Sequence, residues 1–187
     1  MFRTTFKPSA AARTAALVGS TLIALIVSGC GGMPTGSGGD TAVAAGTWGD
    51  ADRIAQQGKT FSVTAKFADN KNRYKLGEPI RMEIVSAQGG RLWLLQITAN
   101  GKVEQLFPNA GYRDNVLTAG RVMPLPPTGV KWEFAAGEPL GPSRVLAIVT
   151  TGSTTLKDVV ASENGLRLLA QPDGRWSAAQ LTMDVTR

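Results

Sequence analysis

The sequence predicts an all-β fold, an antiparallel β-sandwich or open barrel with a short helix, behind a signal peptide and a flexible tether. Short segments of alternating apolar and polar residues are separated by turn sequences about every eight to twelve residues, as in sandwiches and barrels. The 22 glycines among 187 residues suit a fold with many tight turns. We predict three parts: signal peptide 1–29, lipidated cysteine and Gly/Ser-rich tether 30–46, and β-sandwich domain 47–187.

We predict that the folded part opens with a short helix or an entry segment at Thr47–Gln57; for the helix, Asp50 is a candidate N-cap and Gly58 is the stop. Two of the strands that follow are apolar on both faces, Arg91–Thr98 and Arg144–Thr151, which predicts interior positions in a sheet. The other predicted strands are Phe61–Phe67, Ile80–Ser86, Val103–Phe107, Val116–Met123, Lys131–Phe134 and Arg175–Val185. The spacing of four apolar residues predicts a second short helix between Thr154 and Leu169: Leu156, Val159, Val160 and Leu166.

The apolar segment Ala15–Val27 follows a basic start and ends at the only cysteine, Cys30. It is too short for a membrane span of about 20 residues. Small residues just before a cysteine fit the narrow pocket of a signal peptidase, and these are Val27, Ser28 and Gly29. A thiol at the new N-terminus permits thioether attachment of lipid. The pattern resembles the lipobox of bacterial lipoproteins, which implies a bilayer anchor at Cys30.

Composition excludes several kinds of chemistry. The chain has no histidine, and its single cysteine is assigned to lipid, which removes histidine-dependent catalysis and cysteine or histidine metal sites. We therefore expect no metal and no cofactor. Beyond residue 29 there are 17 basic and 14 acidic residues, with no basic run interleaved with aromatics. Nucleic acid is accordingly not an expected partner.

An ordered set of short motifs runs from Tyr74 to Thr150. It begins with Tyr74, Gly77 and Glu78 before a strand and continues through an Asn100-Gly101 turn. A Leu-Phe-Pro-Asn motif follows, formed by Leu106, Phe107, Pro108 and Asn109, and Asn115 comes after it. The set ends in an Ala-Ile-Val strand. The set resembles a bacterial domain family of unknown function. We interpret its residues as structural, because Pro ends strands and Asn tolerates left-handed turns.

Members of that family occur as lipoproteins and as modules of bacterial envelope and secretion systems. The resemblance implies recognition or scaffolding, so we expect a non-enzymatic envelope lipoprotein that binds a protein partner, as an accessory of a secretion system. Gly31 after Cys30 resembles sorting to the outer membrane, facing the periplasm.

Two alternatives belong to other classes. A glycan or peptidoglycan binder would use Trp93, Trp132 or Tyr112 as a stacking platform. A glycan hydrolase would need two nearby carboxylates, with five candidates: Glu78, Glu83, Glu104, Glu133 and Glu138. The sequence Leu-Pro-Pro-Thr-Gly at 125–129 matches a sortase sorting pattern, but it lies mid-domain, and we interpret it as a proline-rich loop.

Overall fold

A computed structural model describes residues 38–162, 165–171 and 173–187, and the side chains from residue 46 onward. The elements in chain order are α1 (Gly38–Gln57), β1 (Val63–Phe67), β2 (Arg73–Lys75), β3 (Pro79–Ile80), β4 (Met82–Ser86), β5 (Gly90–Ile97), β6 (Val103–Phe107), β7 (Val116–Leu117), β8 (Met123–Leu125), β9 (Phe134–Ala135), β10 (Gly141–Thr150), α2 (Leu156–Val159), β11 (Val160–Ala161), β12 (Arg167–Leu168) and β13 (Trp176–Thr186).

The main sheet has six strands in the order β2-β13-β10-β5-β6, with β7 paired to the start of β5. Its pairs are antiparallel except β13 with β2, which run parallel. The two strands predicted to be interior, β5 and β10, lie at its centre. The predicted Asn-Gly turn joins β5 to β6, and Gly101 takes the positive φ of 81° that such a turn requires.

A three-stranded sheet, β1-β4-β8, packs on one face of the main sheet. Alternate residues of the central strands point into the space between the sheets, among them Leu92, Leu94 and Val145. They form the first core with buried residues of the smaller sheet such as Met82 and Ile84. No described sheet closes into a barrel, so the predicted all-β sandwich is confirmed.

The second face of the main sheet is covered by α1 and by the segment from α2 to β12. The intervening residues of β5 and β10, such as Leu95 and Leu146, form a second core with Ala51 and Ile54 of α1. The Arg144 guanidinium forms an ion pair with Asp52 and lies 5.2 Å from the centre of the Trp48 ring. Burial on both faces explains why β5 and β10 are nearly continuous apolar runs.

Several predicted boundaries differ from the structure. The first helix begins at Gly38 rather than Thr47, so residues 38–46, assigned to the tether from their composition, are helical. The single strand predicted at Val116–Met123 was wrong: β7 and β8 lie in different sheets, and Gly120 between them has a φ of +69°. The second helix ends at Val159, where Val160 is already extended, and the chain continues into the β11–β12 hairpin, in which Gly165 has a φ of +96°.

Candidate functional site

In the described part of the chain, a groove of about 1430 Å³ lies beside the two-stranded sheet β3–β9. We call it the Trp132 groove, after the only tryptophan that lines it. Its walls come from three stretches of chain: residues 76–81, 126–133 and 135–138. Pro79, Pro126 and Pro127 contribute much of the wall, and Leu76, 48% exposed, lies at its margin.

Trp132 is held in place from two sides. Its ring packs edge-on against Phe134 of β9, with 5.0 Å between the ring centres. Its pyrrole edge faces Gly111, where an added Cβ would lie 3.1 Å from the Trp132 Cδ1. The indole N–H is buried and has no acceptor among the described residues. One edge of the ring is thus fixed against the loop that contains Gly111, while the side chain lines the groove.

The Tyr74–Glu78 motif forms a turn at one end of the groove. Gly77 takes a φ of +83°, and its N–H donates to the Ala136 carbonyl at 2.7 Å. The Ala136 N–H donates in return to the Glu78 carbonyl at 2.9 Å. Gly77 and Ala136 both line the groove, so this pair of hydrogen bonds joins two of its walls.

Hydrogen bonds of charged side chains stabilise the same turn. Glu78 accepts hydrogen bonds from the Lys75 N–H at 2.8 Å and from Lys71 Nζ at 2.9 Å, and these contacts lower its pKa. The Tyr74 hydroxyl donates to Asp69 at 2.8 Å; burial first, then this hydrogen bond, raises the pKa of Tyr74. Burial raises the pKa of Asp69, but hydrogen bonds from Lys71 and Tyr74 outweigh it and hold that pKa below its ordinary value.

The Leu106–Asn109 motif ends β6 and shapes the loop behind Trp132. Leu106 and Phe107 are buried in the first core, and the bond from Phe107 to Pro108 is cis. The Asn109 amide donates to the Leu106 carbonyl at 3.2 Å, and its oxygen accepts from the N–H groups of Gly111 and Tyr112 at 3.0 Å each.

Asn115, the last motif residue, lies further along the chain and is 3% exposed. Its side chain donates to the Leu92 carbonyl at 3.0 Å, and its own carbonyl accepts the Leu92 N–H at 2.8 Å. The motif residues therefore make contacts that hold turns and strands together, and two of the turns they form meet the Trp132 groove.

The lining of the groove combines apolar and charged residues. Thr128 is its only residue with a neutral hydroxyl or amide side chain. Four of the lining residues are charged and exposed, two of each sign: Arg81, Lys131, Glu133 and Glu138. None of the four forms an ion pair with another described residue. Glu133 and Glu138 were named from the sequence as carboxylate candidates. Arg81 and Lys131 were not, and Arg81 joins the other three only through the pairing of β3 with β9.

The other aromatic candidates lie elsewhere. Trp93 packs in the second core and donates to the Thr150 hydroxyl at 3.0 Å. Tyr112 stacks on Phe107, with 6.0 Å between the ring centres. Trp176 is fully buried, and Trp48 is half-buried under Arg144. Trp132 alone of the described tryptophans lines a groove.

The carboxylate candidates also lie in different parts of the structure. Glu83 pairs with Lys66 at 2.7 Å, and Glu104 pairs with Lys102 at 2.6 Å, both on strand surfaces. Glu133 and Glu138 share the Trp132 groove, but both are exposed to water. Neither occupies the dry surroundings that favour a general acid.

Val27, Ser28, Gly29 and Cys30 lie outside the described residues, so the lipobox stays a prediction. Within the described residues, no group of three acidic, cysteine or histidine side chains is placed to hold a metal ion. None of the described helices combines the length and apolar character needed to cross a bilayer.

Comparison with known families bears on the groove. Residues 73–153 match the model of a family described as a domain of unknown function, DUF4384. This stretch is a DUF4384 domain. Every residue that lines the Trp132 groove falls between residues 76 and 138, inside the DUF4384 domain, whereas α1 and β13 lie outside it. No curated protein matches the sequence significantly.

Proposed function

We propose that the protein is a non-catalytic lipoprotein of the cell envelope, anchored at Cys30, whose DUF4384 domain binds a protein partner in the Trp132 groove. The observation that carries the proposal is the placement of the groove. Its lining lies wholly within the family domain; the turn at Gly77 joins two of its walls, and the loop at Gly111 supports Trp132. An accessory role in a secretion system is part of the same proposal and rests on the family resemblance alone.

The surface of the groove favours protein over small molecules. Its volume of about 1430 Å³ exceeds the roughly 300–1,000 Å³ typical of small-molecule sites. A lining that combines apolar residues with exposed charges suits a protein interface, in which apolar and polar contacts occur together.

Separate variants test the anchor and the groove. A photo-crosslinking residue at Thr128, inside the groove, is expected to trap a defined envelope protein, whereas the same residue at Arg91, outside it, is expected to trap none. Cys30→Ala is expected to move the protein from the membrane to the soluble fraction. A Cys30→Ala protein that stays in the membrane contradicts the anchor, and equal crosslinking from Thr128 and Arg91 contradicts the groove.

Glycan binding is the second candidate, because Trp132 is an aromatic side chain in an open groove. It predicts that soluble peptidoglycan fragments bind the wild-type protein and that Trp132→Ala abolishes this binding. A hydrolase would cleave those fragments and lose that activity in Glu133→Gln or Glu138→Gln.

A further inference from the structure

We propose that the Trp132 groove takes an extended, proline-containing peptide segment that carries both acidic and basic side chains. This inference rests on the proposed function, since it names the kind of protein segment that the groove binds. Three features of the groove lead to it: the ring side chains of its lining, the hydrogen bonds that it can offer, and the charges of its lining.

Four of the lining residues have ring side chains with constrained positions. Pro79, Pro126 and Pro127 have fixed backbone φ, and Trp132 is held against Phe134 and Gly111. These residues lose little conformational freedom when a ligand binds. An aromatic side chain in a groove suits peptides in the polyproline II conformation, which is itself already ordered.

The neutral groups of the groove offer few hydrogen bonds to a ligand. Its three prolines have no N–H, and the N–H groups of Gly77 and Ala136 already donate to the carbonyls of Ala136 and Glu78. Thr128 is the only neutral hydroxyl or amide side chain in the lining. An added β-strand needs a series of main-chain partners, whereas a polyproline II segment needs none, because its own backbone stays hydrated.

The four lining charges restrict the ligand's side chains. Arg81 and Lys131 are positive, Glu133 and Glu138 are negative, and all four are exposed without an ion pair among the described residues. Complementary charges on a partner fix register and suppress wrong partners more than they raise affinity. A neutral chain leaves all four unmatched, and a chain of one sign is repelled by half of them. A segment that carries both signs matches the groove.

The test uses the full-length acylated protein in detergent micelles and a fluorescein-labelled peptide, Glu-Glu-Pro-Leu-Pro-Pro-Leu-Pro-Arg-Arg, with blocked ends. A second peptide carries the charges in reverse order, and a third replaces them with Gln. Fluorescence anisotropy is expected to show saturable binding of one or both charged peptides, with Kd below about 1 mM. The Gln peptide is expected to bind at least about fivefold more weakly.

Variants of the protein then localise the binding. Trp132→Ala is expected to weaken binding about tenfold or more, and Trp132→Phe to retain part of it. The double variant Arg81→Glu/Lys131→Glu is expected to lose the mixed-charge peptide and to prefer one with arginine at both ends. Arg91→Glu, an exposed basic residue outside the groove, is the matched control and is expected to change nothing. Circular dichroism establishes that each variant is folded.

Three results overturn the proposal: no saturable binding of either charged peptide, equal binding of the Gln peptide, or binding that the Trp132 and charge variants leave unchanged. If crosslinking from Thr128 still traps a protein while no peptide binds, the groove binds protein and the proposed occupant is wrong. If crosslinking fails and peptidoglycan fragments bind through Trp132, the proposed function itself is replaced by glycan recognition.

Discussion

Glu78 shows how one carboxylate holds a whole turn. Its two oxygens accept separate hydrogen bonds, from the Lys75 N–H and from Lys71 Nζ, and its backbone carbonyl bonds to Ala136 across the groove. Asn109 does the same for the second motif, with an amide that bonds to three backbone groups. Asx chemistry made the Asn109 turn predictable. The link from Glu78 to the groove was not predictable, because Ala136 is far away in sequence.

The first prediction concerns the acid stability of this turn. The folded pKa of Glu78 lies below its ordinary value of 4.5, because Lys75 and Lys71 stabilise the ionised form. The stability that Glu78 contributes is therefore fully present above pH 4.5 and is lost as the pH falls below that value through the folded pKa. We expect Glu78→Gln to be less stable than wild type at neutral pH and to lose less stability on acidification. Urea unfolding at a series of pH values measures both.

A control separates this effect from general acid unfolding. Glu138→Gln removes a carboxylate that has no ion pair among the described residues. It is expected to follow the wild-type pH profile. If Glu78→Gln follows that profile as well, the hydrogen bonds of Glu78 do not contribute to stability.

At the scale of elements, the long strands that are buried on both faces were predicted correctly. β5 and β10 were recognised because burial on both faces leaves a continuous apolar run. β2 was missed: it has three residues, and one buried position, Tyr74, gives no period to detect. The separation of β7 from β8 also escaped prediction, since the apolar pattern continues through a turn that only the left-handed φ of Gly120 reveals.

The second prediction compares two glycines at α1. Gly49 lies inside the helix with open space around its Cα, so Gly49→Ala is expected to raise the free energy of unfolding by about 0.5–1 kcal/mol. Gly58 follows the helix, and a Cβ there would collide with the Trp176 ring and lie 2.9 Å from Ala178 Cβ. Gly58→Ala is expected to lower the free energy of unfolding by about 1–3 kcal/mol. Thermal and urea unfolding of both variants measure the difference.

The two substitutions add the same methyl group. Opposite changes in the free energy of unfolding would therefore come from the surroundings of each glycine and not from the alanine itself. Equal effects would mean that Gly58 does not approach Trp176 closely in solution. A destabilised Gly49→Ala would mean that this part of α1 is not helical.

At the scale of the whole molecule, the main sheet separates two cores, and the second depends on α1. Ala51 and Ile54 are fully buried against the sheet. The DUF4384 match begins at Arg73, so the helix that covers this face lies outside the family domain. The composition of residues 38–46 predicts a tether, although these residues are helical. Tertiary contacts of Ala51 and Ile54 with the sheet stabilise α1, whereas the four glycines in its sequence lower its helix propensity.

The third prediction follows from that dependence. A chain that starts at Gly38 is expected to unfold cooperatively in urea at the same midpoint as the full-length protein. A chain that starts at Lys59 exposes Leu95, Leu146 and their neighbours, and is expected to aggregate or to unfold at a clearly lower urea concentration. Equal midpoints for the two chains would show that α1 adds nothing to the domain's stability.

The position of α1 would also determine how a protein anchored at Cys30 is oriented on the membrane. The Trp132 groove is lined by Ile80 and Ala136 of the first core, and α1 packs on the second core, across the main sheet. The chain between Cys30 and Gly38 spans at most roughly 28 Å when fully extended. A lipid at Cys30 would keep the α1 side near the bilayer and leave the groove open to the other side. Membrane attachment and ligand capture would then use separate surfaces, so neither would compete with the other.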